Sequence, residues 1–175
     1  MSPAVIFQLQ LVLGYVPWLL VSGAYFLPKL RSMEPAAAQR AIAMLHSFRF
    51  FGLVFILPGV VGPNLPAGFA SLAAYGDFAT GVLAMLAVLS FRFRPLFWTL
   101  VMLFNALGVA DIVSDYIHGV QFGLPELAGQ RGAAYLIPII YVPLLTITHF
   151  AAFGLLLGRR SVAAQRNPLA APAAE

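Results

Sequence analysis

Asp111, Asp115 and His118 stand four and three residues apart in the stretch Asn105-Ala-Leu-Gly-Val-Ala-Asp111-Ile-Val-Ser-Asp115-Tyr-Ile-His118, inside an otherwise apolar run. At about 100° per helical residue, Asp115 falls about 40° round from Asp111 and His118 about 20° on its other side, so the three share one narrow face. Lipid is a poor neighbour for that face. A carboxylate at bilayer depth costs about 2.5–3.5 kcal/mol on insertion scales, so such groups turn toward a bundle interior or a wet cavity. Asn105 lies deeper in the same span, about 120° from Asp111.

Two further charges fall inside apolar runs. Asp77 shares a helix side with Ala73, Gly81 and Ala84, small residues that let a neighbouring helix approach closely. Arg49 is followed by only about 13 residues before Gly62, too few to cross a hydrocarbon layer. It therefore lies within the layer, either snorkelling to the near surface or pairing with an intramembrane carboxylate. Asp77, Asp111 and Asp115 cannot all be charged cheaply in one low-dielectric cavity, which makes a proton-exchanging group a natural consequence. The expected site comprises Asp77, Asp111 and Asp115 with Arg49, Asn105 and His118, and binds or moves a small polar or cationic ligand, or protons. The alternative is structural: Arg49 and Asn105 hold the helices in register, and the chain is an accessory subunit of a larger membrane complex.

Asp111, Asp115 and His118 also have the spacing of ligands for a metal that accepts oxygen and nitrogen donors. No second acidic or histidine cluster accompanies them apart from Asp77, so no metal site is assigned. His46 and His149 offer a different chemistry. They stand at comparable depths on two spans, and two imidazoles from facing helices can hold a b-type haem, with Gly52 and Gly154 admitting the macrocycle and Arg49 meeting a propionate. The only lysine is Lys29, in a loop, which excludes a retinal Schiff base. With no cysteine, thiolate nucleophiles, disulfides and cysteine-ligated clusters are excluded. No Gly-x-Ser-x-Gly occurs to support a serine hydrolase. The Asp-x-x-x-Asp spacing is shared with enzymes that transfer phospholipid head groups, but their accompanying Asp and Gly-rich pattern is missing. Asp111 or Asp115 could still serve as an acid or base on a lipid substrate, so whether the chain is an enzyme stays open.

The elements that must position these residues are membrane spans. The chain is 61% hydrophobic and 9% charged, far from the ~25% charged residues of a soluble domain. Spans are expected at 5–27, 41–61, 67–91, 95–118 and 132–157, giving an all-α transmembrane bundle in one domain, residues 1–160, with a disordered cytoplasmic tail over 161–175. Gln8, Tyr15 and Ser22 form a polar stripe on the first span that should face other helices. Pro35 opens the second helix at its first position, and Pro138 and Pro143 should kink the fifth and free backbone carbonyls. The first span has no basic residue ahead of it and no evident cleavage site, so it is expected to remain in the protein.

Lys29, Arg31 and Arg40, then Arg92 and Arg94, then Arg159, Arg160 and Arg166 fall on one side of such a bundle, and only Arg131 falls among the other loops. The positive-inside rule then places the N-terminus outside and the C-terminus in the cytoplasm. The net charge of +4 is dispersed at span ends and gives no basic patch for nucleic acid. The lipid bilayer is the expected partner, with a homo-oligomer also compatible with a bundle of this size.

His46-Ser-Phe-Arg49, Ala73-Ala-Tyr-Gly-Asp77, Ala110-Asp111 and the stretch from Tyr135-Leu-Ile-Pro138 to His149 resemble segments of an uncharacterised family of small bacterial multi-pass inner-membrane proteins. The likeness spans most of the chain. It implies a bacterial inner membrane and no particular activity.

Overall fold

The computed structural model describes residues 1–166, with side chains described through Gly158. Five α-helices follow one another: α1 (Pro3–Ser32), α2 (Pro35–His46), α3 (Ala67–Leu89), α4 (Arg94–Gln121) and α5 (Val142–Arg166), the last entered through a π segment at Ile137–Tyr141. Two 3-10 helices, Ser47–Ile56 and Ala128–Tyr135, lie between them. No strand forms among the described residues. Four stretches are long and apolar enough to cross a membrane: Pro3–Ser32, Ala67–Leu89, Arg94–Gln121 and Ile137–Gly158. Helix α5 runs on to Arg166, and the rest of the expected tail, 167–175, lies outside the described residues.

The segment expected as a second span, 41–61, differs from a single α-helix. Pro35 does start a helix, capped by the Glu34 carboxylate on the Ala37 amide, but the α-helix ends at His46 and the chain winds on as a 3-10 helix to Ile56. Four phenylalanines, a valine and an isoleucine crowd Ser47–Ile56, residues that lose side-chain freedom in an α-helix. Three residues per turn stack every third side chain in one ridge. That ridge is His46, Arg49, Gly52 and Phe55, and all four are buried. Pro58 and Gly59, the latter at φ 82°, then end the helical run, so Leu57 to Pro66 forms turns.

Both π segments stand just before a proline. Proline lacks an N–H for the carbonyl four residues back, and its ring pushes that carbonyl aside. The ladder re-registers to five residues, with Leu27 N–H donating to Ser22 O ahead of Pro28 and Val142 N–H to Ile137 O ahead of Pro143. The carbonyl that Pro143 leaves free, Ile139 O, packs directly on Gly14 of α1, and the Trp18 indole N–H donates to Ile140 O at 2.7 Å. The expected kink thus becomes the seat of α1. The polar stripe of α1 turns inward at two of its three positions: Tyr15 hydrogen-bonds Tyr116 and Thr146, and Ser22 is buried, while Gln8 borders the cavity but is exposed. Otherwise α1 is a flank, with 6% of its apolar window buried against 39–44% in α3, α4 and α5.

Small residues on α3 bring its neighbours close. Ala73, Asp77, Gly81 and Ala84 are all buried, and a Cβ at Gly81 would stand 2.9 Å from the Phe50 amide nitrogen. Two apolar clusters occupy the ends of the bundle. One gathers Ile42, Ala84, Phe97 and Phe104, the other Phe55, Phe69, Leu124 and Ile137. The polar residues of α3 and α4 lie between them. Gly14→Val should drive α1 off its seat and cost about 1–3 kcal/mol in reversible unfolding in detergent, whereas Gly154→Ala, which meets open space, should stay within about 0.5 kcal/mol of the parent.

Candidate functional site

Arg49 projects from the 3-10 ridge into the centre of the bundle and is fully buried. Its Nε donates to Asp77 Oδ1 at 2.6 Å, and Nη2 donates to Asp111 Oδ2. Nη1 donates to Gly108 O and faces His149 Nε2, each at 3.4 Å. One guanidinium therefore ties the 3-10 helix to α3, α4 and α5. Of the two fates open to Arg49, it takes the pairing and not the snorkel. Three glycines make the room. A Cβ at Gly52 would collide with the Asp77 carboxylate, one at Gly76 with the Asp111 carboxylate, and one at Gly108 with His149 and Arg49.

The hydrogen-bond directions around the two histidines follow from their neighbours. Asn105 Nδ2 donates to Val101 O at 2.8 Å, which turns Oδ1 toward His149 and makes His149 Nδ1 the donor at 2.9 Å. His149 Nε2 then presents its lone pair to Arg49. The Thr148 hydroxyl donates to Leu144 O or Leu145 O, so its oxygen accepts from His46 Nε2 at 3.0 Å. His46 Nδ1 has no hydrogen-bond partner among the described residues. The two rings face each other with centroids 4.1 Å apart and planes tilted by 43°.

A haem held by two imidazoles carries its macrocycle between them. Here the rings are in direct contact, Gly52 is filled by the Asp77 carboxylate, and Gly154 meets nothing within 4 Å. As arranged, the two rings leave no gap between them for a macrocycle.

A cavity of about 230 Å³ opens beside the charged centre, walled by α1, the first 3-10 helix, α3, α4, the second 3-10 helix and the start of α5. Its apolar wall includes Phe7, Phe55, Phe69 and Ile112; its polar wall is Gln8, Arg49, Asp77, Asp115, Tyr116 and Arg131. Asp115 Oδ1 is buried and has no hydrogen-bond partner among the described residues. Arg131 lies with its guanidinium 4.1 Å from the centre of the Phe7 ring, and its Nη1 donates to Leu124 O at 3.3 Å. Burial lowers the Arg131 pKa to about 10, which leaves it charged at neutral pH.

The expected cluster is thus partly assembled. Arg49, Asp77 and Asp111 meet directly, and Asp115 joins Arg49 and Asp77 in the cavity wall. Asp111 also borders a separate groove with Gly76 and Ser114. Asn105 touches no carboxylate and acts by orienting His149. His118 lies outside the cavity wall: its Nδ1 turns back to Ser114 O at 2.8 Å and Ser114 Oγ at 3.1 Å, and the ring stacks on Phe122. The hydroxyl and carbonyl one turn below are nearer than any carboxylate, so sharing a helix face did not bring His118 into the site. Arg131, Tyr116 and Gln8 were not among the expected site residues. The signal for Arg131 was its isolation as the one basic residue among the loops away from the other basic residues.

Residues 6–157 match the family described as "Domain of unknown function (DUF8737)". The chain belongs to that family. No curated protein and no solved structure matches it. Removing one member of a buried ion cluster strands the others, at a cost of about 3–5 kcal/mol. Arg49→Met should lose stability on that scale in detergent unfolding, and adding Asp77→Asn and Asp111→Asn to it should recover most of the loss.

Proposed function

We propose that the chain is a bacterial inner-membrane protein whose cavity binds or moves a small polar or cationic ligand, or protons, with Asp115 as the counter-charge. The observation that carries this reading is the buried, unpartnered Asp115 Oδ1 in the cavity wall. The charges around it explain why it is available. Arg49 is committed to Asp77 and Asp111, which leaves Asp115 without a cationic partner among the described residues. A buried acceptor without a donor is costly, and an ammonium group or a proton relieves that cost. Phe7, Phe55 and Phe69 would favour a cation bearing apolar substituents, both by area and through their ring faces.

Two observations support five crossings with the N-terminus outside. Arg40 and Arg94 both lie over the Phe91 ring, at 4.6 and 4.5 Å, which gathers basic residues of α2 and α4 at one end of the bundle. The second segment also has the length to cross. Its 12 α-helical residues rise about 18 Å, and its 10 residues of 3-10 helix rise about 20 Å, together more than a ~30 Å hydrocarbon layer.

Asp115→Asn should abolish binding of simple amines such as isobutylamine and benzylamine, followed by ligand-dependent thermal shift, while the yield of folded protein stays near that of the parent. Unaltered amine binding, or loss of the fold, would favour the structural reading in which these residues serve assembly. Because the sequence has no cysteine, single reporters give a clean topology test. Ser2→Cys should react with a membrane-impermeant maleimide in intact cells and Ser90→Cys only after permeabilisation. Labelling of both from the outside would remove the crossing by the second segment.

A further inference from the structure

The cation site proposed above gives Arg131 no role, yet Arg131 is built into the cavity wall. It is 3% exposed, and among the described residues no carboxylate lies within ion-pair distance of it. A guanidinium has five N–H donors, and one bond to Leu124 O with a ring face on Phe7 does not exhaust them. Its backbone is fixed as well. Gly132 adopts φ 51°, and any Cβ there would run into the Val60 carbonyl. Next to it, Gln130 accepts from the Gly62 amide at 2.7 Å through its backbone and from the Asn64 amide at 3.2 Å through its side chain. The turn after the first 3-10 helix thereby clamps Arg131 in place.

The cavity thus holds two ionisable groups with no ionic partner among the described residues, Asp115 on α4 and Arg131 on the second 3-10 helix. They are too far apart to pair with each other. Each is costly alone in a low-dielectric wall, and a ligand with one charge would relieve only one of them. We infer that the cavity takes a small zwitterion, its ammonium on Asp115, its acidic group on Arg131, and its apolar body against Phe7, Phe55 and Phe69. The inference rests on the cation-site reading and adds the second pole. An acidic group of carboxylate or phosphate type suits the forked donors of arginine. At about 230 Å³ the cavity is smaller than the ~300–1,000 Å³ of drug-sized pockets, which suits an amino-acid-sized molecule or an amine-bearing phospholipid headgroup.

The test uses the purified full-length chain with two sources of the same chemistry. In the first arm, affinities for L-leucine, its methyl ester and N-acetylleucine compare a zwitterion with its cation-only and anion-only analogues. In the second, native mass spectrometry compares retention of phosphatidylethanolamine with that of phosphatidylglycerol, which lacks the amine. At least a tenfold preference for the zwitterion is expected in one arm, which then names the source. Arg131→Gln should erase that preference while leaving the methyl ester within about twofold of its parent affinity, and Asp115→Asn should abolish binding of both. If the methyl ester binds the parent protein as tightly as leucine and neither lipid is preferred, the second pole is wrong while the cation site stands. A preference that survives Arg131→Gln likewise removes the second pole and leaves the cation site. Failure of every probe in both arms overturns the two readings together. Should Arg131→Gln not fold, the parent's ratio between zwitterion and analogue decides alone.

Discussion

Arg49 reaches Asp77 on α3 and Asp111 on α4 with two of its nitrogens while a third meets α4 and α5, and the surrounding fold is shaped by the need to house that contact. A guanidinium and two carboxylates can be buried only if their geometry is close and their remaining groups find partners. The glycines at 52, 76 and 108 supply the closeness. The three-residue pitch of Ser47–Ile56 places Arg49 directly over Gly52, so the position that presents the cation also leaves space for its anion. Apolar clusters on either side of this layer remove water from it, which strengthens each pair and makes any unpaired charge more expensive.

That last consequence connects the ion cluster to the cavity. With Asp77 and Asp111 engaged, the next carboxylate along α4, Asp115, has no share of the Arg49 guanidinium. The same helix face therefore carries a structural pair and, one turn on, an available acceptor. Tyr116 beside it bridges to Tyr15 of α1 at 2.9 Å, so the flank helix that closes the cavity is tied to the residue next to the free carboxylate. A ligand at Asp115 would be felt first at that bridge.

Much of this was legible in the sequence because it depends on helical repeats. The face shared by Asp111 and Asp115, the small-residue side of α3 around Asp77, the inward Tyr15 and Ser22 of α1, and the disturbance at Pro143 all follow from residues a few positions apart. The depth of Arg49 left its partner open, and only packing could choose between snorkelling and pairing. The 3-10 helix escaped notice because every residue from Phe50 to Ile56 is apolar, so no alternation of polar and apolar positions marks a period of 3.0 against one of 3.6. His118 turns from the cavity because spacing fixes where a side chain starts and not where it points, and Ser114 is the nearer partner. Arg131 was invisible as a site residue for a different reason. Its burial depends on Gly132 lying against Val60 and on Gln130 binding the 62–64 turn, contacts between segments about 70 residues apart that no local pattern encodes.

The central claim is that Arg49 is neutralised by Asp77 and Asp111 and not by Asp115. Double-mutant cycles between Arg49 and each of the three carboxylates, read as unfolding free energies of the purified protein, test it most directly. Coupling of at least about 1.5 kcal/mol is expected with Asp77 and with Asp111, and no more than about 0.5 kcal/mol with Asp115. Coupling to Asp115 as strong as to the other two, or none to Asp77, would contradict it.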